Sequence, residues 1–85
     1  MKLTIRYFAS IREQLGIAQE VMTIDAPALS VDSLRTLLAS RDARAADALH
    51  PGRPVRTAIN QEMVAGTFVL RDDCEVAFFP PVTGG

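Results

Sequence analysis

Very few side chains in this sequence are able to carry out chemistry by themselves. The chain has 85 residues, with one histidine (His50) and one cysteine (Cys74). This pair is too small for a metal site built from Cys and His ligands. His50 lies beside Pro51 and Gly52 in an expected surface loop, which does not suit a Ser–His–Asp or Cys–His site. No glycine-rich phosphate-binding motif occurs, so the side chains argue against an enzyme that works alone.

The most unusual segment is at the end of the sequence, where Phe79 is followed by Pro80-Pro81-Val82-Thr83-Gly84-Gly85. Prolines end a strand because they cannot donate to a β-ladder, and they favour an extended chain. The two glycines leave the end without side chains, so it would fit a narrow channel in another protein. We therefore expect a tail at 79–85 that presents the Gly85 carboxylate to a partner. The alternative is a frayed tail without function.

Charge and hydropathy exclude several other roles. Nine basic and ten acidic residues give a formal net charge of −1, which offers no electrostatic basis for binding nucleic acid or an anionic membrane. Charges interrupt the apolar positions in residues 1–10, unlike a signal peptide or a membrane span. The apolar fraction of 48% is enough for a small core. We expect one domain, 1–85, located in the cytoplasm.

Hydrophobic periodicity predicts the order of the secondary-structure elements. Alternation indicates a first strand at 2–8, and Ser10-Ile11-Arg12-Glu13 matches a capping box that would start a short helix ending at Gly16. A main helix capped by Ser30 follows, because Val31, Leu34, Leu37 and Leu38 recur at helical spacing. The other expected segments are a strand at 17–24, a weaker helical stretch at 41–49, a strand at 55–60, an apolar segment at 63–70 and a last strand at 75–79.

This order predicts an α+β fold, in which one main helix packs across one face of a mixed sheet. The preferred topology is a β-grasp, with the last strand beside the first. Strand alternation places Leu3 and Tyr7 on one face and Phe8 on the other, while Phe79 faces away from Phe78. If the helix covers the Leu3 face, then Phe8 and Phe79 lie on an open face, where aromatics suggest a protein interface. The alternative is that both are ordinary core residues.

The chain resembles the small subunit of molybdopterin synthase, also called molybdopterin-converting factor subunit 1, a ubiquitin-like sulfur-carrier family. Residues 75–85, EVAFFPPVTGG, look like that family's C terminus, and residues 58–64, AINQEMV, are similar to its AVNQ-type strand and turn. The similarity extends over the whole chain. The family usually has a glycine in the turn where this chain has Asp72-Asp73-Cys74. That difference affects the type of turn and not the function.

The resemblance implies a carrier in molybdenum cofactor biosynthesis that is not an enzyme by itself. An ATP-using, ubiquitin-activating-like adenylyltransferase would adenylate the Gly85 carboxylate, and sulfur from a donor protein would then replace AMP to give a thiocarboxylate. The tail would enter the large subunit of the synthase, in a heterotetramer with two carriers. There it would donate sulfur to cyclic pyranopterin monophosphate to form the molybdopterin dithiolene. The resemblance implies no permanently bound cofactor or metal.

The same resemblance implies which residues contact partners. These are Phe8, Arg12, Met63 and Phe79, together with the tail residues Pro80, Pro81, Val82 and Thr83, while Gly84 gives access and Gly85 reacts. Met63 has the alternative of filling a gap in the core, and Arg12 that of being a solvated helix residue.

Three further expectations remain open from the sequence. A sulfur carrier for thiamine thiazole synthesis or for tRNA thiolation is one alternative function, and a non-catalytic β-grasp binding module with an inert tail is another. Cys74 is interpreted as structural, because the adjacent Asp72 and Asp73 should raise the pKa of its thiol and disfavour a reactive thiolate.

Overall fold

The structure is a computed structural model that describes residues 1–81 of the chain. In this range the chain forms seven strands and three helices. The elements are β1 (Lys2–Tyr7), α1 (Ala9–Leu15), β2 (Gln19–Thr23), β3 (Leu29–Ser30), α2 (Val31–Ala39), α3 (Ala43–Leu49), β4 (Arg56–Ile59), β5 (Glu62–Val64), β6 (Val69–Leu70) and β7 (Cys74–Phe79). None of the helices formed by residues 1–81 is both long enough and apolar enough to span a membrane.

Five strands form the main sheet, in the order β2-β1-β7-β4-β5. β1 and β7 are parallel, whereas β1 with β2, β4 with β7 and β4 with β5 are antiparallel. The short strands β3 and β6 pair separately. The last strand therefore lies beside the first in a mixed sheet, which confirms the expected β-grasp arrangement.

The core lies between one face of this sheet and the helices. Leu3, Ile5 and Tyr7 of β1 are at most 2% exposed, and the Tyr7 ring stacks on Phe78 of β7 with 6.3 Å between ring centroids. From α2, the residues Val31, Leu34 and Leu38 belong to this core. Leu37 was expected on the same helical face, but that prediction is wrong, since its side chain is 45% exposed. One helix of nine residues presents only a narrow stripe to the sheet, and Leu37 falls outside it.

Helix ends follow the sequence in part. Ser30 caps α2 as predicted, with its hydroxyl accepting the Ser33 N–H at 3.0 Å. The weak helical stretch is confirmed as α3, whose cap is Asp42. The capping box at residues 10–13 is wrong: α1 begins at Ala9 and no side chain caps it. The Phe8 N–H is instead bound to the Phe78 carbonyl at 3.1 Å, so the helix starts directly after β1.

Candidate functional site

The side of the main sheet that faces away from the helices is called the open face here. The side chains that point away from the core lie on it: Arg6 of β1 pairs with Ala77 of β7, Ala77 with Ala58 of β4, and Ala58 with Met63 of β5. The two alanines are at most 8% exposed. Met63 is 54% exposed, so the gap-filling alternative does not apply to it. The open face therefore carries one row of side chains across four strands.

A hollow of about 480 Å³ lies on the open face beside this row, and we call it the aromatic hollow. The residues that line it are Arg6, Phe8, Gln61, Glu75, Ala77 and Phe79. Phe8 and Phe79 are half-buried and lie outside the buried core cluster. This placement matches the prediction that both aromatics share the face opposite the main helix. Ala77, whose side chain is a single methyl group, also lines the hollow.

Charged groups bound one side of the aromatic hollow. The Arg6 guanidinium lies 5.3 Å from the Phe8 ring centroid and 3.7 Å from Glu75 Oε1. A cation over an aromatic face and an exposed ion pair are each weak contacts. Together they hold the Arg6 guanidinium between the Phe8 ring and the Glu75 carboxylate. Arg6, Gln61 and Glu75 were not predicted as site residues from the sequence. Strand parity places Arg6 on the face of Phe8, whereas its partner Glu75 depends on the β1–β7 register.

The described part of the tail begins in a groove at the end of β7. Phe79 is the last residue of β7 and pairs with Arg56, so the extended segment starts at Pro80. Pro80 and Pro81 are half-buried. They line a groove of about 220 Å³ together with Ser10, Ile11 and Gln14 of α1, with Ala48 of α3, and with Arg53, Pro54 and Val55. Val82, Thr83, Gly84 and Gly85 lie outside the described residues.

Arg12 is not part of the aromatic hollow. It is an exposed residue of α1, and the structure places it on the helix that borders the tail groove. The four predicted partner contacts that precede the tail residues 80–83 therefore fall into two groups. Phe8, Met63 and Phe79 share the open face, and Arg12 is separate from them.

Cys74 begins β7, at the opposite end of that strand from the tail. Burial is the largest cause that raises the pKa of its thiol, and the carboxylates of Asp73 and Asp72 raise it further. The effect of the aspartates was predicted from the sequence, whereas the effect of burial was not. A raised thiol pKa disfavours the reactive thiolate, which agrees with a structural role. Cys74 and Phe79 are five residues apart in an extended strand, a distance of about 16 Å, so the thiol does not lie beside the start of the tail.

A tyrosine hydroxyl and an ion pair join strands β1 and β2 to the segment between α2 and α3. The Tyr7 hydroxyl donates to Glu20 Oε2 at 2.7 Å, and Arg41 donates to both carboxylate oxygens of Glu20 at 2.9 Å. Burial, and next the hydrogen bond to Glu20, raise the pKa of Tyr7 well above its usual range. The Arg41 hydrogen bond lowers the pKa of Glu20. These groups stabilise the scaffold on the helix side of the sheet.

The mixed sheet, its strand order and the helix across one face define a ubiquitin-like β-grasp protein. Residues 5–85 match the ThiS family, and the chain belongs to that family. It is 40% identical over 83 residues to the molybdopterin synthase sulfur carrier subunit of Escherichia coli K12, covering 98% of this chain and 99% of that protein.

Two solved structures are similar over nearly the whole chain. A putative molybdopterin converting factor, subunit 1, from Pyrococcus furiosus has a TM-score of 0.76 and 25% identity, covering 96% of this chain and 99% of that one. A chain from the complex of subunits 1 and 2 of the Helicobacter pylori molybdopterin-converting factor has a TM-score of 0.67 and 21% identity, with 100% of both chains covered. At this identity the second likeness concerns the fold.

Proposed function

We propose that this chain is the sulfur carrier subunit of a molybdopterin synthase and that it is not an enzyme by itself. The observation that carries the proposal is the 40% identity to a sulfur carrier subunit of that synthase, over 98% of this chain and 99% of the relative. A family match that extends through Gly85 supports the same assignment for the diglycine tail.

The proposed reaction takes place at the carboxylate of Gly85. A carboxylate is a poor electrophile, so an ATP-using adenylyltransferase first joins it to AMP and releases pyrophosphate. A sulfur donor protein then supplies sulfur at the sulfide oxidation level, which attacks the carbonyl carbon and displaces AMP, so that the thiocarboxylate forms without a change of oxidation state. In the large subunit the thiocarboxylate sulfur bonds to a carbon of cyclic pyranopterin monophosphate, and water then cleaves the acyl–sulfur bond and restores the Gly85 carboxylate. Two thiocarboxylates therefore supply the two sulfurs of the dithiolene.

In this scheme the globular domain positions the tail. Its contribution is to hold a nucleophilic sulfur beside the substrate, which raises the effective concentration of the reacting group. The half-buried Pro80 and Pro81 set where the tail leaves the domain. The six residues 80–85 span about 20 Å when fully extended, enough to enter an active site below the surface of a partner.

The open face is the proposed docking surface for the large subunit. Phe8, Phe79 and the exposed Met63 provide apolar anchors on one face, and interface energy concentrates in such side chains. The Helicobacter pylori protein of the same fold is known as a complex of subunits 1 and 2. For this chain we propose a heterotetramer with two carriers, and we place Arg12 in contact with the adenylyltransferase.

Deletion of Gly85 tests the proposal. The full chain is incubated with ATP, the adenylyltransferase and a sulfur donor, and its mass should rise by the difference between sulfur and oxygen. With the large subunit added, dithiolene formation should follow. The truncated chain should keep the melting temperature of the full chain but form no product, while Thr36→Ala, an exposed change on α2, should behave as wild type.

The outcomes separate the rival functions. An unchanged mass of the full chain would favour the inert binding module. The chain could instead be thiocarboxylated and deliver its sulfur only to a thiazole-forming or a tRNA-thiolating enzyme. That result would assign the carrier to one of those pathways and not to molybdopterin synthase. Full product formation by the truncated chain would refute the role of the Gly85 carboxylate.

A further inference from the structure

The turn between β4 and β5 holds a backbone conformation that its sequence does not favour. Asn60 and Gln61 have φ values of +48° and +70° and connect the paired residues Ile59 and Glu62. Two successive positive φ values identify a type I′ turn, whose second position strongly prefers glycine. Asn adopts the left-handed region more readily than other side chains, whereas Gln does so at a cost. Gln61 is therefore the strained residue of this turn.

Asn60 is the residue that attaches the turn to the rest of the sheet. Its N–H donates to the Glu75 carbonyl at 2.9 Å, and the Glu75 N–H donates to Asn60 Oδ1 at 3.0 Å. The Gln61 side chain is exposed, and within residues 1–81 the hydrogen bonds that anchor the turn do not involve it. Asn60 therefore stabilises the turn through its hydrogen bonds to Glu75, whereas the side-chain amide of Gln61 takes part in neither of them.

The position of Gln61 explains what its side chain is for. It lines the aromatic hollow together with Phe8 and Phe79, at the end of the β4–β5 hairpin. The other polar groups in the hollow, Arg6 and Glu75, are paired with each other. A costly backbone conformation at a residue that the fold does not need is typical of functional sites. The Gln61 amide supplies one acceptor and two donor protons at the edge of an apolar surface.

We propose that Gln61 is a partner-contact residue of the aromatic hollow, and this inference rests on the proposed function. Its amide hydrogen-bonds the large subunit, beside the site where an apolar side chain of that subunit enters between Phe8 and Phe79. The most suitable partner group is a main-chain amide, because it offers the N–H and the carbonyl that a carboxamide matches. The left-handed backbone at Gln61 is retained since it directs the side chain towards the hollow.

Two substitutions separate this role from a structural one. Gln61→Gly removes both the amide and the strain, whereas Gln61→Ala removes the amide and keeps the strain. For Gln61→Gly we expect a melting temperature about 4 °C higher, because glycine adopts positive φ freely. For both variants we expect the Kd for the purified large subunit to be about tenfold weaker, the loss of one hydrogen bond across the interface. Thr36→Ala, on the exposed side of α2, is the control.

Turnover gives a second measurement. With thiocarboxylated carrier as the varied substrate, both Gln61 variants should raise KM and leave kcat unchanged, because the tail and its sulfur are intact. A more stable Gln61→Gly variant with wild-type affinity would overturn the proposal. A less stable Gln61→Gly variant would also overturn it, by showing that the side chain serves the fold. If the wild-type chain itself fails to bind the large subunit, the proposed function is refuted and this inference with it.

Discussion

Phe78 and Phe79 are neighbours in β7 that point to opposite faces of the sheet, so they form a matched pair for testing the open face. Phe78 is 0% exposed and stacks on Tyr7 in the core. Truncating a buried Phe to Ala costs about 4 kcal/mol, because it removes apolar contacts and leaves a cavity. Phe79 is half-buried and borders the open hollow, so its truncation leaves no enclosed cavity. We expect Phe79→Ala to lower the free energy of unfolding by about 1 kcal/mol.

These free energies translate into separate melting temperatures. For a domain of this size, 1 kcal/mol shifts the melting temperature by about 4–8 °C. Phe79→Ala should therefore melt within about 8 °C of wild type. Phe78→Ala should melt at least about 16 °C lower, or fail to fold, since small domains have only about 5–15 kcal/mol of stability. Circular dichroism during heating measures both values.

Phe79→Ala should affect binding to the large subunit more strongly than it affects stability. An aromatic anchor in an interface contributes 2 kcal/mol or more on truncation, so Phe79→Ala should weaken the Kd for the large subunit by about thirtyfold. Titration calorimetry measures this value. Thr36→Ala is the control, because Thr36 is exposed on α2, on the opposite side of the sheet from the aromatic hollow. Its affinity should stay within about twofold of wild type.

Two results would refute this reasoning. A loss of melting temperature in Phe79→Ala as large as that in Phe78→Ala would place Phe79 in the core. Unchanged affinity of a folded Phe79→Ala variant for the large subunit would mean that the aromatic hollow is not the docking surface.

Two further predictions concern titratable groups. The Glu20 carboxyl has a lowered pKa in the folded chain, first because Arg41 hydrogen-bonds it, so its stabilising effect is present above the unfolded-state pKa and is lost as pH falls through the lower folded-state value. Melting temperatures from pH 7 down to pH 2 should therefore fall more steeply below about pH 4.3 in wild type than in Glu20→Gln, and parallel curves would contradict this role. The Cys74 thiol, with a pKa raised by burial, should react with iodoacetamide at pH 8 more slowly in the folded chain than in urea, and equal rates would show that the fold does not protect it.

The sequence predicted well those features that depend on local periodicity. Alternation in the first strand separated Leu3, Ile5 and Tyr7 from Phe8, and the structure has the same division. Ser30 was recognised as a cap because the bond it makes reaches only three residues along the chain. Local pattern failed at Ser10, where the hydrogen bond from Phe8 to the distant Phe78 sets the start of α1.

The open face illustrates what local pattern leaves undetermined. Residues 63–70 were apolar without a clear period, and the structure divides them between β5, a turn and β6. Met63 reaches the open face only because β5 pairs with β4 in the register that sets it opposite Ala58. Gln61 borders the aromatic hollow only because Asn60 attaches the hairpin to β7. Neither the strand register nor this attachment can be predicted from the residues of one segment alone.

The sequence by itself determined the two faces of the first and last strands and which residues form the tail, since side-chain alternation and the properties of proline and glycine act over a few residues. Only the tertiary structure decided which segments meet. The pairing of Arg6 with Glu75, the ion pair of Glu20 with Arg41 and the groove that receives Pro80 all join residues far apart in the chain. Their contacts depend on how the strands and helices pack together, and that packing is a property of the whole chain.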